Sequence, residues 1–309
     1  MNEHKPVLLA EVLEGLNIQA SGKYVDATFG RGGHSQAILG CLGSEGKLMA
    51  LDQDPAAVRV AREAGPFQDP RFCIEHANFS QLKALLQDRG WNGKVDGILL
   101  DLGVSSPQLD DPDRGFSFLK DGPLDMRMNT EQKMDAATWL NTAKEKEIAD
   151  VIYEYGEERQ SRRIARAIVF DREKTPFTRT LQLSQMIARI LPNKEKNKHP
   201  ATRTFQAIRI FINRELDVLS TVLNDCVDIL APNGRLCVIS FHSLEDRIVK
   251  QFMDKQSKGD ELPANLPIKN DEINVRMRKI GKSIKPNDSE INDNPRARSA
   301  RLRIAEKIR

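Results

Sequence analysis

Between Tyr24 and Leu39 the chain reads Y-V-D-A-T-F-G-R-G-G-H-S-Q-A-I-L. An apolar run ends in an aspartate, and Gly30, Gly32 and Gly33 fall within four residues. Glycines between a strand and a helix let the backbone approach a ligand closely. They also leave helix N–H groups aimed at it. The dinucleotide fingerprint spaces its glycines G-x-G-x-x-G, and here the third arrives too early. Taken alone, the turn also fits a tight strand-to-helix connection with no ligand. Three later strand ends narrow the choice. K-L-M-A-L-D ends in Asp52, about 20 residues past the turn, where a carboxylate accepts both ribose hydroxyls. R-F-C-I-E-H is followed by Asn78 and Phe79, an aromatic placed to cover an adenine face, and V-D-G-I-L-L-D ends in Asp101. S-adenosylmethionine suits this short turn better than NAD does, because it has no pyrophosphate to cradle.

The elements that must position these groups follow from periodicity. Strands are expected over 23–28, 47–52, 71–76 and 95–101. Helices are expected over 35–42, 55–62 (with proline in the first turn) and 80–87. This alternation predicts an open parallel sheet with helices on both faces, bound at its carboxyl edge. From about residue 106 to 214 the strand signal stops, and five amphipathic helical patterns begin near Asp135, Glu145, Arg159, Thr180 and Thr204. A returning helix over 216–230, a turn at Pro232-Asn233-Gly234 and a fifth strand over 235–241 follow. Residues 255–273 read as a loop, 276–280 and 300–304 as two last strands, and 287–295 as the polar loop between them. The expected division is a discontinuous core, 1–109 with 211–309, and an inserted all-helical domain, 110–210.

Net charge is only +3, but it is unevenly placed. Residues 1–158 carry −10, residues 159–214 carry +11, and residues 215–309 carry +2. So dense a basic block, with Arg162, Arg163, Arg166 and Arg203 among its members, is either a solvated helical face or a phosphate-binding surface. No apolar run reaches the roughly 18 residues of a membrane helix, and the N-terminus has no long apolar segment, so a cytoplasmic protein is expected. The four cysteines form no C-x-x-C pair and read as buried reduced thiols. The five histidines include no H-E-x-x-H, so no metal is expected.

Longer blocks carry a resemblance. T-F-G-R-G-G-H-S from Thr28, L-L-D-L-G-V-S-S-P-Q-L-D-D from Leu99, R-G-F-S-F from Arg114 and D-G-P-L-D-M-R-M from Asp121 are followed by Y-G-E-E-R from Tyr155. H-P-A-T-R-T-F-Q-A from His199, S-F-H-S-L-E-D-R from Ser240 and N-P-R-A-R-S from Asn294 complete the set. Together they closely resemble the RsmH (MraW) family, bacterial methyltransferases that modify N4 of a cytidine in 16S ribosomal RNA. The resemblance runs nearly end to end. It implies a Rossmann-like methyltransferase core with an inserted helical domain. It implies S-adenosylmethionine as cofactor, and 16S ribosomal RNA, within the small subunit near the decoding region, as partner. It also implies that Gly32, Gly33, His34, Asp52, Phe79, Asp101 and Gln108 contact the cofactor. Oligomeric state stays open, a homodimer included.

The chemistry so implied needs particular groups. The exocyclic amine of cytosine is a poor nucleophile, because its lone pair is delocalised into the ring. An enzyme must align it with the methyl group, accept hydrogen bonds from it and let a proton leave. DNA amino-methyltransferases often carry an Asp/Asn-Pro-Pro-aromatic motif after strand four. This chain has D-L-G-V-S-S-P, Asp101 to Pro107, in that place. Asp101, Ser105 and Ser106 supply acceptors there, or S-S-P simply turns the chain. His242 either meets the cytidine or packs in a loop before a helix capped by Ser243. Phe116 and Phe118 stack on a base or fill the insertion's core. Two rival functions are a dehydrogenase, disfavoured by the glycine spacing, and a non-catalytic RNA-binding or ribosome-assembly module. The latter has no need of carboxylates at strand ends.

Overall fold

The computed structural model describes residues 6–191, 199–259 and 274–308. Lys194, Lys196 and Lys198 of the basic block, and residues 260–273 of the expected loop, lie outside them. The chain begins with α1 (Leu9–Leu16) and then alternates: β1 (Lys23–Asp26), α2 (Gly33–Cys41), β2 (Lys47–Asp52), α3 (Pro55–Glu63), β3 (Phe72–His76), α4 (Leu82–Asp88) and β4 (Val95–Asp101). Six helices follow: α5 (Ser106–Asp110), α6 (Ala136–Thr142), α7 (Glu145–Gly156), α8 (Ser161–Arg172), α9 (Thr180–Ile190) and α10 (Thr202–Asn213). The sheet then resumes through α11 (Glu215–Ile229), β5 (Leu230–Ser240), α12 (Ser243–Lys258), β6 (Met277–Lys279), α13 (Asp288–Asp293) and β7 (Arg301–Lys307). The chain divides into two compact units, Met1–Gly103 with Leu216–Arg309, and Val104–Glu215.

In the first unit the described strands form one sheet, ordered β3-β2-β1-β4-β5-β7-β6. β1 to β5 run parallel, and β7 lies antiparallel between β5 and β6. Successive strand residues point to opposite faces. Tyr24, Leu48, Ala50, Leu99 and Ile239 pack on one side with α1, α2 and α3. Val25, Met49, Leu51, Ile98 and Leu100 pack on the other with α4, α11 and α12. Both faces are covered, as the strand–helix alternation predicts.

The expected turn at Pro232-Asn233-Gly234 lies inside β5 instead. There Val95 pairs with Leu230 and Gly97 with Arg235, so the intervening residues bulge out of the ladder. Asn233 adopts φ 64° to make that bulge. The expected polar loop over 287–295 contains α13, because the Asn287 side chain accepts from Glu290 N at 2.9 Å and caps a helical turn. Residues 255–258 continue α12 rather than beginning a loop. Cys226 and Cys237 are buried free thiols, but Cys73 is half-buried and Cys41 exposed, since Cys41 closes α2 on its outward side.

In the second unit the apolar faces of α6 to α10 close over one core containing Trp139, Ile148, Ile152, Ile164 and Ile208. Asp135 caps α6 by accepting from Thr138 N at 2.7 Å. Buried Asn213 accepts from Met128 N at 2.7 Å and donates to Met126 O at 2.8 Å, which ties the loop before α6 to the end of α10. Phe116 is buried in this core, and the Phe118 ring stacks 5.0 Å from that of His199.

Candidate active site

Three carboxylates define the edge of the sheet in the first unit. Asp26 pairs with Leu99 on β4 and Ala50 on β2. Asp52 and Asp101 stand two residues beyond those partners, so all three side chains fall on the face that carries α2. Asp26 accepts from Thr28 N at 3.2 Å and from the Ser35 hydroxyl at 2.7 Å. The Thr28 hydroxyl in turn accepts from Asp101 N at 2.7 Å. Asp52 accepts from Gly30 N at 2.7 Å with one oxygen and from Asp54 N at 2.8 Å with the other. The glycine turn and the end of β2 therefore hold each other in place.

Burial raises all three acids. Asp52 is pushed up to about 6, burial outweighing its two backbone donors, and the neighbouring Asp54 and Asp26 add to the rise. Asp101 is also pushed up to about 6, again by burial, with His34 opposing the shift and Asp26 and Glu245 reinforcing it. Burial likewise raises Asp26, against the Ser35 hydroxyl and His34. Asp101 differs from the other two in one respect. Its Oδ1 is buried with no hydrogen-bond partner.

The N-terminus of α2 faces this edge. Gly32 caps the helix at φ 76°, the left-handed region, and a Cβ there would overlap the Phe67 and Phe29 rings. At Gly33 a Cβ would overlap the Pro6 ring. The first N–H groups of any helix lack intrahelical acceptors, so this end offers donors and partial positive charge. His34, buried in the first turn, has Nε2 3.0 Å from the Val7 carbonyl and Nδ1 3.6 Å from Asp101 Oδ2.

Phe79 opens a 3-10 turn that Asn78 caps, accepting from Ser80 N at 2.9 Å; the Asn78 amide also donates to Gln53 Oε1 at 2.7 Å. The Phe79 ring is half-buried on the α4 side. After β5, the cap of α12 is His242 and not Ser243. Its Nδ1 accepts from Glu245 N at 3.4 Å, and Glu245 Oε2 accepts from Phe241 N at 2.8 Å and His242 N at 3.3 Å. An imidazole serves as the capping acceptor, which shifts the expected box back by one residue. His242 Nε2 is 3.2 Å from Glu245 Oε1 but is not aligned to hydrogen-bond with it.

Gly32, Gly33, His34, Asp52, Phe79, Asp101 and His242 thus all belong to the first unit, around the carboxyl ends of β1 to β5. Ser106, Gln108 and the arginines belong to the second. Ser106 opens α5, and buried Gln108 accepts from Ser105 N at 2.9 Å. Arg159, Arg162, Arg163 and Arg166 are exposed, Arg159 two residues before α8 begins. Arg166 lies 3.8 Å from Glu145, and Arg203 lies 3.7 Å from Glu158. Asp26, Thr28 and Ser35 escape the sequence reading as site residues. The available signal was that Asp26 ends its strand as Asp52 and Asp101 end theirs.

The donor set fits S-adenosylmethionine. Asp52 retains lone pairs beyond its two backbone donors. The glycine cap leaves backbone where a Cβ would fill space. Sheet and site define an S-adenosylmethionine-dependent methyltransferase with a Rossmann-like fold. A model of the MraW methylase family matches residues 1–308, and the chain belongs to that family. It is 59% identical over 308 residues to Ribosomal RNA small subunit methyltransferase H of Coxiella burnetii (strain RSA 331 / Henzerling II), covering all of both chains. It is 56% identical over 307 residues to the protein of the same name from Shewanella oneidensis, covering 99% of this chain and 97% of that one. Among solved structures, an rRNA methylase from Streptococcus thermophilus aligns over 99% of each chain at 9% identity and a TM-score of 0.45.

Proposed function

We propose that this chain methylates N4 of a cytidine in the decoding region of 16S ribosomal RNA, in the cytoplasm, with the small ribosomal subunit as partner. The observation that carries the reading is the unpartnered Oδ1 of Asp101, a buried acceptor at the end of β4 suited to an amine N–H. The name that these relatives share, matched over 97% or more of their length, supports ribosomal RNA as the substrate.

The cofactor, when bound, supplies a methyl group already activated on a sulfonium sulfur. Asp52 would hold its ribose hydroxyls, Gly32 and Gly33 its carboxylate through backbone N–H groups, and Phe79 its adenine. His34, Asp101 and Gln108 complete the set that the family resemblance implies. Asp101 Oδ1 accepts a hydrogen bond from the target amine, which draws the nitrogen lone pair out of the ring and toward the methyl group. The same oxygen then takes the proton that must leave. Ser106 and His242 are assigned to the pyrimidine, as acceptor and neighbour. The exposed arginines of α8, with Arg203, hold RNA phosphates and so position the strand without reading its sequence.

The test is mass spectrometry of 16S ribosomal RNA from cells with and without the protein. One cytidine is expected to lose a methyl group from N4 in the deletion and regain it on complementation. An unchanged modification pattern rules the reading out.

A further inference from the structure

The His34–Asp101 contact fixes more than a distance. His34 Nε2 lies 3.0 Å from the Val7 carbonyl oxygen. A carbonyl only accepts, so Nε2 carries the hydrogen of that bond. In a neutral ring Nδ1 then presents a bare lone pair to Asp101 Oδ2, 3.6 Å away. Two lone pairs facing each other at that distance repel. The arrangement is favourable only when the pair holds one further proton, on Nδ1 or on the carboxyl.

The surroundings weigh on where that proton sits. Asp26 on β1, Asp52 on β2 and Glu245 on α12 add negative charge to the same edge, and His242 stands beside Glu245. Asp26 and Asp52 are engaged by Ser35, Thr28, Gly30 and Asp54, and Glu245 by the start of α12. Burial and these neighbours hold Asp101 up at about 6 even with His34 opposing them, and a neutral carboxyl is a poor proton acceptor. A proton on Nδ1 keeps it ionised.

We propose that His34 is a positioning residue for the methylation reaction, carrying on Nδ1 the proton that holds Asp101 ionised, with the Val7 carbonyl selecting the ring form that does so. This rests on the reading of Asp101 as acceptor of the amine proton. Methyl transfer leaves the amine nitrogen positive. One N–H bond then breaks, its electron pair returns to nitrogen, and the proton passes to Asp101 Oδ1. The imidazolium stays as it was, on the side of Oδ2. Asp101 finally releases its proton to solvent.

The test compares pH–rate profiles at saturating S-adenosylmethionine, on small subunits from cells lacking the protein. His34→Gln keeps an N–H for the Val7 carbonyl but cannot hold the second proton. Its acid limb is expected about one pH unit higher than in wild type, so turnover at pH 6 falls roughly fivefold and recovers by pH 9. An unmoved limb, or a loss that high pH does not restore, overturns the proposal. Asp101→Asn separates the two levels. If it retains wild-type turnover, the acceptor reading itself fails. If it is inactive while the His34→Gln limb stays unmoved, only the role of His34 fails. A second readout needs neither turnover nor cofactor. Nitrogen-15 shifts of the His34 ring at pH 7 are expected to show both nitrogens protonated in wild type and only Nε2 in Asp101→Asn. A ring whose protonation ignores the Asp101 substitution overturns the proposal.

Discussion

A carboxylate held at the end of a strand beside two others pays for its position in protonation, and the sign of the effect can be worked out. Asp52 and Asp101 sit at about 6 in the folded chain, against an ordinary 3.8. The folded state therefore binds their protons more tightly than the unfolded chain does. Their contribution to stability is complete below about 4 and is lost as pH rises through 6, with a slope of up to about 1.4 kcal/mol per pH unit per group. On the proposed roles of Asp52 and Asp101, cofactor affinity is expected to run the other way, because a protonated carboxyl is a weaker acceptor. We predict that affinity measured by calorimetry is flat above pH 7 and falls below about 6, while denaturant unfolding of the cofactor-free protein shows stability rising over the same descent. Asp52→Asn should flatten part of the stability slope and weaken cofactor binding by about 1.5–3 kcal/mol. An unchanged affinity in the folded variant removes Asp52 from the site. The sequence places Asp52 and Asp101 at strand ends because an acid closing an apolar run stands out. Asp26 is also visible at the end of its run. Its bonds to Ser35 and Thr28, and the link from Thr28 to Asp101, depend on register between strands, which one sequence does not display.

At the scale of elements, the strands and longer helices are legible because each repeats its apolar residues over many positions, and β2 and β4 begin and end where that period does. The short pieces divide. α4 and α6, seven residues each, are legible, but α5 and α13 hold one aliphatic residue apiece, too few for a 3.6-residue period to show, and α1 also escapes. They are stabilised by local caps and tertiary contacts, such as Glu290 of α13 accepting from Leu8 N at 2.7 Å. The bulge in β5 escapes for a related reason, since Pro-Asn-Gly favours any bend and only the partner strand decides which one forms. The cap of α2 gives a sharper expectation. Gly32→Ala introduces a Cβ in the left-handed region and against two phenyl rings. We predict a loss of about 1–3 kcal/mol in unfolding free energy, together with weaker S-adenosylmethionine binding. A melting curve and cofactor affinity that both match wild type would show that the turn relaxes without cost.

At the scale of the molecule, positive charge gathers in one stretch of the second unit, residues 159–214, rather than in that unit as a whole. Much of the basic block is spent on structure. Arg172 donates to the Leu140 and Ala143 carbonyls at 2.6 and 2.7 Å, Arg209 pairs with Glu215 at 2.8 Å, and Arg189 pairs with Asp171 at 2.6 Å. What remains is narrower than the +11 total suggests. Among the described residues Arg159, Arg162 and Arg163 have no partner, and Arg166 has only a 3.8 Å contact with Glu145. Ile164, Ala165 and Ile168 take the inner side of α8, so Arg162, Arg163 and Arg166 are left on its outer side. Unpaired arginines this close repel one another, and a row of phosphates relieves that repulsion while releasing counterions. We therefore predict that replacing Arg162, Arg163 and Arg166 together with glutamate weakens binding to small-subunit RNA roughly tenfold or more near physiological salt, and lowers the slope of log affinity against log salt by about 2. Because these side chains are exposed, the melting temperature should barely move, and cofactor affinity in the other unit should stay at its wild-type value. Filter binding across a salt series decides the matter. If affinity and slope are both unchanged, α8 is a solvated face, and the RNA is held by other cations, for which Arg296 and Arg298 near β7 are the next to replace.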